Sequence, residues 1–362
     1  MRNDRNKTAH SPMGTNKPLR IGVLSHIKYP LCQPFAGGLE AFTHDVVLGL
    51  RARGHDVTLF AHSGSALELN AVAMLGEEEH FPSLSSAYDK EHLAYMKVMQ
   101  GMDAYGFDVV FNNSLHYVPL TMASLIRTPM LTVLHTPPLL EMVEALCCDR
   151  KKGRFSTPSA TNALQWSEVV KQCSVIPNGI DLGFWRPAAK LSEVALWFGR
   201  LVPEKGAHLA IDAARGAGVT LRLAGHAVDE LYYNEQIKPR LGPDVVYIGH
   251  LKRPELAVEV ASAAVALITP CWEEPFGLVA AEALACGTPV VAFERGSMRE
   301  MISDDVGCLV PANDVTAMAA MIPVARSKSR QACRMRAETH WDHNLMLERY
   351  EALLADVAAP SA

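Results

Sequence analysis

Two glutamates, Glu274 and Glu282, lie eight residues apart within the stretch from Ile268 to Phe293. The pattern of this stretch predicts a strand end, an acidic turn, a helix that begins at Pro275 and ends at Gly287, and a second buried strand. Eight residues correspond to about two helical turns, or on the order of 12 Å along the helix axis. One carboxylate therefore precedes the predicted helix, and the other lies on it.

The first backbone amides of this predicted helix belong to Phe276, Gly277 and Leu278. A helix N-terminus attracts anions, and a glycine lets a ligand approach the backbone closely. An acid, a phosphate-sized cradle and a second acid would suit a nucleotide-sugar, which has hydroxyls at both ends and phosphate between them. Glu274 also stands where helix caps are normally Ser, Thr, Asp or Asn. Taken alone, however, two glutamates at this spacing more often belong to an amphipathic helix with solvated side chains.

Further candidate residues follow predicted strands elsewhere in the chain. Gly37 and Gly38 occupy the first strand-to-helix turn, where a phosphate or sugar could approach the next helix, although a plain turn is the alternative. His135 ends a parallel strand, at the sheet edge where ligands bind, but lone histidines are more often structural. Arg200 and Lys205 share a strand-to-helix loop and could converge on one diphosphate, or both could be solvated.

Strands alternate with helices along the chain, which predicts two doubly wound α/β domains with parallel sheets. We place the first domain at residues 19–183 and the second at residues 184–340, with a hinge at Leu182–Lys190. Residues 1–18 are polar and lack the apolar core of a secretory signal, so they indicate a disordered leader. An amphipathic helix is predicted at residues 341–356.

Composition excludes several classes of protein. A net charge of −5 gives no sign of a nucleic-acid binder, and no run of 18 apolar residues indicates a membrane span. The eight cysteines contain no C-x-x-C pair and no His/Cys cluster at zinc spacing, which favours reduced thiols in a cytoplasmic protein. No D-x-D occurs, so the chain lacks the carboxylate pair that would hold a metal ion on a diphosphate. We therefore expect no metal and no other cofactor.

The segment 274–282, EPFGLVAAE followed by ALACGTPVV, closely resembles the E-x7-E motif of the large retaining glycosyltransferase family 4. Members of this family have two Rossmann-like domains that face each other across a cleft, an architecture called GT-B. Three other segments resemble family motifs: Gly-Gly-x-Glu at 37–40, VLHTPP around His135, and R-x-x-x-x-K-G from Arg200. The resemblance extends from about residue 19 to residue 350, nearly the whole chain.

The resemblance implies that the protein transfers a sugar from a nucleoside-diphosphate sugar to an acceptor hydroxyl and retains the anomeric configuration. Glu282 would hold the ribose, Glu274 would hold the donor sugar, and His135 would face that sugar. Arg200, Lys205 and the helix amides would stabilise the departing diphosphate. The acceptor hydroxyl would attack on the leaving-group side, with the β-phosphate as its base.

The resemblance also implies that Gly37 and Gly38 approach the donor phosphate and sugar, and that residues 247–253 edge the nucleobase. Gly225 would be a close-approach glycine in the same cleft, and the helix at 341–356 would cross back to the first domain. The implied partners are a nucleotide-sugar and a small-molecule, lipid or glycan acceptor. Nucleic acid is not expected, whereas peripheral membrane contact would accompany a lipid acceptor.

Two segments depart from the family or leave its choices open. Residues 296–300, Gly-Ser-Met-Arg-Glu, replace the Gly-x-Pro-Glu of many members, and the compact segment 139–153 leaves the acceptor undetermined. A sugar-nucleotide epimerase or a phosphorylase of the same fold would share many of these features. A non-catalytic nucleotide-sugar-binding protein is a further alternative, although the intact set of acids and cations argues against it.

Overall fold

The computed structural model describes residues 17–74, 87–148 and 153–359. Of the leader predicted at residues 1–18, residues 1–16 lie outside this described part of the chain.

The first domain is a parallel sheet of short apolar strands with helices on both faces. In chain order its elements are β1 (Arg20–Ser25), α1 (Gly38–Ala52), β2 (Asp56–Ala61), β3 (Val72–Ala73), α2 (Ala87–Gly101), β4 (Val109–Asn113), α3 (Tyr117–Met122), β5 (Met130–Val133), α4 (Leu140–Cys148), β6 (Arg154–Thr157), α5 (Ala160–Trp166) and β7 (Ser174–Val175). The strands lie in the order β3-β2-β1-β4-β5-β6-β7. Strands such as β4 are buried along their whole length, as expected for a sheet covered on both faces.

The second domain repeats this architecture with an unrelated sequence. Its elements are β8 (Ala195–Phe198), α6 (Ala207–Gly216), β9 (Leu221–Ala224), α7 (Glu230–Tyr232), β10 (Val245–Tyr247), α8 (Arg253–Ser262), β11 (Val265–Ile268), α9 (Leu278–Ala285), β12 (Val290–Phe293), α10 (Met298–Met301), β13 (Gly307–Val310), α11 (Val315–Arg326) and α12 (Arg330–His340). A last helix, α13 (His343–Ala358), follows this domain in the chain. The strand order is β10-β9-β8-β11-β12-β13, with parallel pairs. The prediction of two doubly wound α/β domains is thereby confirmed.

Each sheet has one point at which the chain reverses the direction in which strands are added. In the first sheet this point lies between β1 and β4, where Ser25 is in register with Asn113. In the second it lies between β8 and β11, where Leu196 is in register with Ala266. Open α/β sheets bind ligands at the carboxyl ends of the strands beside such a point, so the fold directs attention to the loops that follow these four strands.

The last helix, α13, follows the second domain in sequence but packs in the core of the first. Leu347, Tyr350 and Leu354 are buried there, where α13 packs against helix α1 and strand β4. The chain thus crosses between the domains twice, and the two crossings run side by side. The Ile180 amide donates to the Trp341 carbonyl at 2.6 Å across them.

The residues of the predicted hinge lie against the second domain. The Arg334 guanidinium on α12 donates to the carbonyls of Leu182 and Trp185 at 2.9 and 2.6 Å. Trp185 is also buried in the core of that domain. The segment at Leu182–Lys190 is therefore attached to the second domain at its start.

Candidate active site

A deep cleft separates the carboxyl ends of the two sheets, and both domains contribute to its walls. The eleven residues predicted from the sequence as site residues all line this one cleft: Gly37, Gly38, His135, Arg200, Lys205, Gly225, Glu274, Phe276, Gly277, Leu278 and Glu282. They come from loops that are far apart in the chain and that the two strand-order reversals bring together. The cleft is therefore the candidate active site.

Two helix N-termini face each other across the cleft. Helix α1 begins at Gly38 on the first domain, and α9 begins at Leu278 on the second. A Cβ atom on Gly38 would lie 2.6 Å from Leu278 Cδ1, so the two helix starts are in close contact. The first amides of a helix have no intrahelical acceptor, and the helix dipole adds partial positive charge at this end. The pair of helix starts is therefore suited to bind an anion.

The start of α9 differs from the prediction. The helix begins at Leu278 rather than at Pro275, because Gly277 takes a left-handed conformation with φ of 91° and interrupts the helical path. A Cβ atom at Gly277 would lie 2.2 Å from Met298 Cε, so a larger residue would not fit without movement. The amides that begin the helix are thus those from Leu278 onward, whereas Phe276 precedes the helix and its side chain is buried. Gly287, with φ of 70°, follows the end of the helix as predicted.

The loop that precedes α9 is held by the loop that follows β12. The Ser297 amide donates to the Glu274 carbonyl at 2.8 Å, and the Ser297 hydroxyl donates to the Phe276 carbonyl at 2.5 Å. Gly296 packs so closely that a Cβ atom there would lie 2.2 Å from the Glu274 carbonyl oxygen. Residues 296–300 are predicted from the sequence only to depart from the family motif, and that comparison does not predict their backbone contacts with the loop before α9.

Glu274 is not a helix cap but one member of an ion pair. Lys205 Nζ donates to Glu274 Oε2 at 2.5 Å, and Trp272 Nε1 donates to the same oxygen at 2.9 Å. The Lys205 and Glu274 side chains are 23% and 12% exposed, so both charges are partly removed from water but remain open to the cleft. The second cation of the predicted pair, Arg200, lies closer to the first domain, where a Cβ atom on Gly37 would be 3.6 Å from Arg200 Nε.

Glu282 lies deeper in the cleft, close to charges from both domains. Burial raises the pKa of Glu282 to about 8, although the nearby Arg253 guanidinium opposes this shift. Arg253 itself makes two hydrogen bonds with Asp45 on α1, at 2.9 and 2.7 Å. Burial raises the pKa of Asp45, but hydrogen bonds from His44 and Arg253 outweigh it and hold that pKa below its usual value. A bidentate ion pair thus joins the two domains beside Glu282.

His135 is held in the wall that the first domain contributes. Its Nε2 lies 2.8 Å from Asn113 Oδ1, and its ring packs edge-on against Phe42 at 4.9 Å between centroids. Burial lowers the pKa of His135 to about 3, so the imidazole is neutral near pH 7. The neutral ring donates from Nε2 to Asn113, which leaves Nδ1 as an acceptor.

The packing around two further residues of the cleft, Gly225 and Glu40, explains their structural roles. Gly225 has φ of 148°, and a Cβ atom there would lie 1.7 Å from the Gly199 carbonyl oxygen, so this glycine allows the ends of β8 and β9 to meet. Glu40 is buried at the start of α1, with Oε1 3.3 Å from His26 Nδ1. A carboxylate in the first turn of a helix suits its dipole, so Glu40 supports the start of α1.

Three residues that contribute to the site are not predicted from the sequence: Trp272, Asp45 and Asn113. Trp272 stands two residues before Glu274, and a polar indole beside a candidate carboxylate could have been noticed. No local signal marks Asp45 or Asn113, because each matters only through a partner that is distant in sequence.

The described part of the chain contains neither a membrane-spanning helix nor a cluster of metal ligands. In residues 17–74, 87–148 and 153–359, no helix is both long and apolar enough to cross a bilayer. The same ranges contain no group of three His, Cys, Asp or Glu side chains arranged to hold a metal ion.

Comparison with known proteins gives two family matches that together cover most of the chain. Residues 36–184 match the model described as Glycosyltransferase Family 4, and residues 186–339 match the model described as Glycosyl transferases group 1. Among relatives, the glycogen synthase of Mycobacterium tuberculosis is 34% identical over 188 residues. That match spans 47% of this chain and 45% of the relative, so the chain matches less than half of that protein.

Longer matches have lower identity. The D-inositol 3-phosphate glycosyltransferase of Mycolicibacterium paratuberculosis is 26% identical over 406 residues, which covers 94% of this chain and 90% of the relative. Among solved structures, that of Anabaena Alr3699/HepE in complex with UDP-glucose superposes with a TM-score of 0.74 at 20% identity. It covers 93% of this chain and all of that one, and it shows the shared fold.

Proposed function

Because this chain belongs to glycosyltransferase family 4, we propose that it transfers a sugar from a nucleoside-diphosphate sugar to an acceptor hydroxyl, with retention of configuration and without a metal ion. The observation that carries this proposal is the convergence, in one cleft, of two helix N-termini, two cations and two carboxylates. A nucleotide-sugar needs these groups in this combination: an anion site in the middle and hydrogen-bond acceptors at both ends.

The diphosphate would lie in the cleft beside the starts of α1 and α9, within reach of Arg200 and Lys205. Each helix start contributes about half an elementary charge, and each cation contributes a full one. These charges would neutralise the negative charge that develops on the leaving diphosphate, which is usually the largest single contribution to such catalysis. Metal independence is therefore part of the proposal.

The two carboxylates would bind the two ends of the donor. Glu282, about one turn along α9, would accept or donate hydrogen bonds at the ribose hydroxyls, and its raised pKa near 8 permits both. Glu274 would accept a hydrogen bond from the sugar. His135 would face the same sugar from the first domain, with Nδ1 as a neutral acceptor.

Retention is supported because the described part of the first domain places no free carboxylate on the wall opposite the diphosphate. Within the described ranges, Glu40 is the carboxylate that the first domain contributes to the cleft lining, and His26 lies against it. Glu40 is also buried at the start of α1, where it supports the helix. We therefore propose attack on the leaving-group side, with the β-phosphate accepting the proton.

We propose the acceptor by chemical class only: it is a small molecule, a lipid or a glycan with a free hydroxyl. The name of the inositol phosphate relative makes inositol phosphates the first acceptors to test. We also propose a cytoplasmic location, since all eight cysteines are free thiols, with membrane contact only if the acceptor is a lipid.

The test has two stages. A thermal-shift screen against UDP, GDP and ADP and their hexose derivatives should identify the donor, because a ligand that binds only the folded protein raises its melting temperature. Transfer from that donor is then followed with EDTA present, and NMR of the anomeric proton gives the configuration of the product. An inverted product, or activity that requires added Mg²⁺ or Mn²⁺, would contradict the mechanism. A donor that is only isomerised would identify an epimerase instead.

A further inference from the structure

Trp272 lies in the wall of the cleft and contacts both members of the Lys205–Glu274 ion pair. Its indole Nε1 donates to Glu274 Oε2 at 2.9 Å, and Lys205 Nζ lies 4.9 Å from the centre of its ring. Lys205 donates to the same carboxylate oxygen at 2.5 Å. Each of the three side chains therefore contacts the other two, and we call this arrangement the Trp272 triangle.

We propose that Trp272 is a positioning residue for sugar transfer, an inference that rests on the proposed function. Its N–H orients the carboxylate of Glu274, and its ring face holds the ammonium of Lys205. Both donors in the triangle reach Oε2, so Oε1 remains to accept a hydroxyl of the donor sugar. Trp272 acts through these two residues and not on the substrate.

The physical need for such a residue follows from the flexibility of the pair. Lysine carries its charge on a four-carbon stem with rotatable bonds, and a Lys–Glu contact alone fixes neither side chain. When the sugar binds Glu274 and the diphosphate attracts Lys205, the pair must loosen without either group leaving its place. A cation–π contact keeps its attraction for the ammonium while the carboxylate turns to a new partner.

Hydrogen bonds already hold the backbone of the loop before α9, so the positions of the side chains in the triangle depend on other contacts. Ser297 binds the carbonyls of Glu274 and Phe276, and Gly296 donates its amide to Glu273 Oε2 at 2.8 Å. These contacts fix the path of the loop but touch neither the carboxylate of Glu274 nor Lys205. In the described structure Trp272 supplies that remaining constraint.

The first arm of the test isolates the indole N–H. Trp272→Phe keeps an aromatic face but removes the donor to Glu274. We expect kcat to fall roughly tenfold while the donor KM changes little, because the loss acts on orientation in the transition state. Trp341→Phe is the matched control: this indole also lies near a guanidinium, that of Arg336 at 5.8 Å, but it does not line the cleft. Turnover should be unchanged in the control.

A double variant shows whether the effect passes through Glu274. If Trp272 acts by orienting that carboxylate, the losses of Trp272→Phe and Glu274→Ala should not multiply, because no carboxylate remains to be oriented. Multiplying losses, or normal kcat in Trp272→Phe, would overturn the positioning of Glu274.

The second arm needs only binding and isolates the ring face. Trp272→Leu removes both contacts, so Lys205 loses its cation–π partner. Affinity for the nucleoside diphosphate, measured by calorimetry with UDP, GDP and ADP, should then fall by a factor similar to that for Lys205→Ala, whereas Trp272→Phe should keep it. Unchanged affinity in Trp272→Leu would overturn the positioning of Lys205.

The two arms also separate this inference from the proposed function. A wild-type protein that binds a nucleoside diphosphate but transfers no sugar would contradict the proposed function, and the binding arm would still decide the role of the ring. Active wild type together with an active Trp272→Phe variant would contradict the inference alone. Circular dichroism melting of each variant excludes unfolding as the cause of a loss.

Discussion

The ion pair between Asp45 and Arg253 should control closure of the cleft. It joins α1 of the first domain to the start of α8 in the second with hydrogen bonds of 2.9 and 2.7 Å. The perturbation is Asp45→Asn, which keeps the size of the side chain, removes its charge and leaves the second domain intact. Because the partners belong to different domains, the loss should destabilise the closed arrangement more than the folding of either domain.

The magnitude follows from burial. Removing one partner of a buried, hydrogen-bonded charge pair costs about 2–5 kcal/mol. Here the Arg253 and Asp45 side chains are 19% and 22% exposed, so solvent screening favours the lower end. About 2 kcal/mol corresponds to roughly a 30-fold shift in the ratio of closed to open molecules. The donor KM should therefore rise by on the order of tenfold or more, because only closed molecules bring both walls to the donor.

Two measurements check this expectation. Small-angle scattering should show a larger radius of gyration for Asp45→Asn, and steady-state kinetics should show the rise in KM. The matched control is Asp244→Asn, which breaks the Arg215–Asp244 contact of 2.7 Å inside the second domain. That control should change neither quantity. An Asp45→Asn protein with the wild-type radius of gyration and the wild-type donor KM would refute the expectation that this ion pair stabilises the closed cleft.

Three further expectations concern single residues. Burial raises the pKa of Glu282 to about 8, so the folded protein favours the protonated carboxyl. The free energy of unfolding should therefore decrease as pH rises from about 5 to 8, and denaturant titrations of Glu282→Gln should lack this dependence. Arg200→Ala and Lys205→Ala should each lower kcat by on the order of 10²-fold in EDTA, and a change in donor KM alone would show that both bind ground and transition states equally. Gly225→Ala should destabilise the protein by more than about 2 kcal/mol in thermal or denaturant unfolding. The control is Gly249→Ala, because Gly249 has φ of 88° and no atom lies within 4 Å of the added Cβ. It should cost only about 1 kcal/mol of backbone strain.

The fold could be predicted from the sequence because its signals are local. Short apolar runs such as those at β8 and β11 predict buried parallel strands, and glycines or prolines mark the turns that follow them. Local signals place several candidate site residues at strand ends, where ligands bind in such sheets, but their assignment as site residues rests on the resemblance to the family motifs. In the structure the strand-end loops of both sheets meet, and the predicted residues line the one cleft between them.

Contacts between the domains could not be predicted in this way. Asp45 and Arg253 are 208 residues apart, and neither carries a local mark that identifies its partner. The same holds for Glu300, which accepts hydrogen bonds from the Ala160 and Thr161 amides of the first domain at 3.0 and 2.6 Å. Such contacts depend on the relative placement of two rigid bodies, which strand and helix patterns do not determine.

Helix α9 starts at Leu278, three residues later than predicted, and this shift supports the proposed anion site. Had the helix begun at Pro275, Glu274 would have stood at its cap, and its negative charge would have competed with phosphate for the first amides. The left-handed turn at Gly277 moves the helix start beyond the carboxylate, and Lys205 and Trp272 bind that carboxylate instead. The Ala280 and Ala281 amides donate to the Gly277 carbonyl, so the amides of Leu278 and Val279 are the ones left to a ligand. The same glycine that made the helix boundary hard to predict separates Glu274, the proposed sugar-binding acid, from α9, the proposed phosphate-binding helix, so that each could act on its own part of the donor.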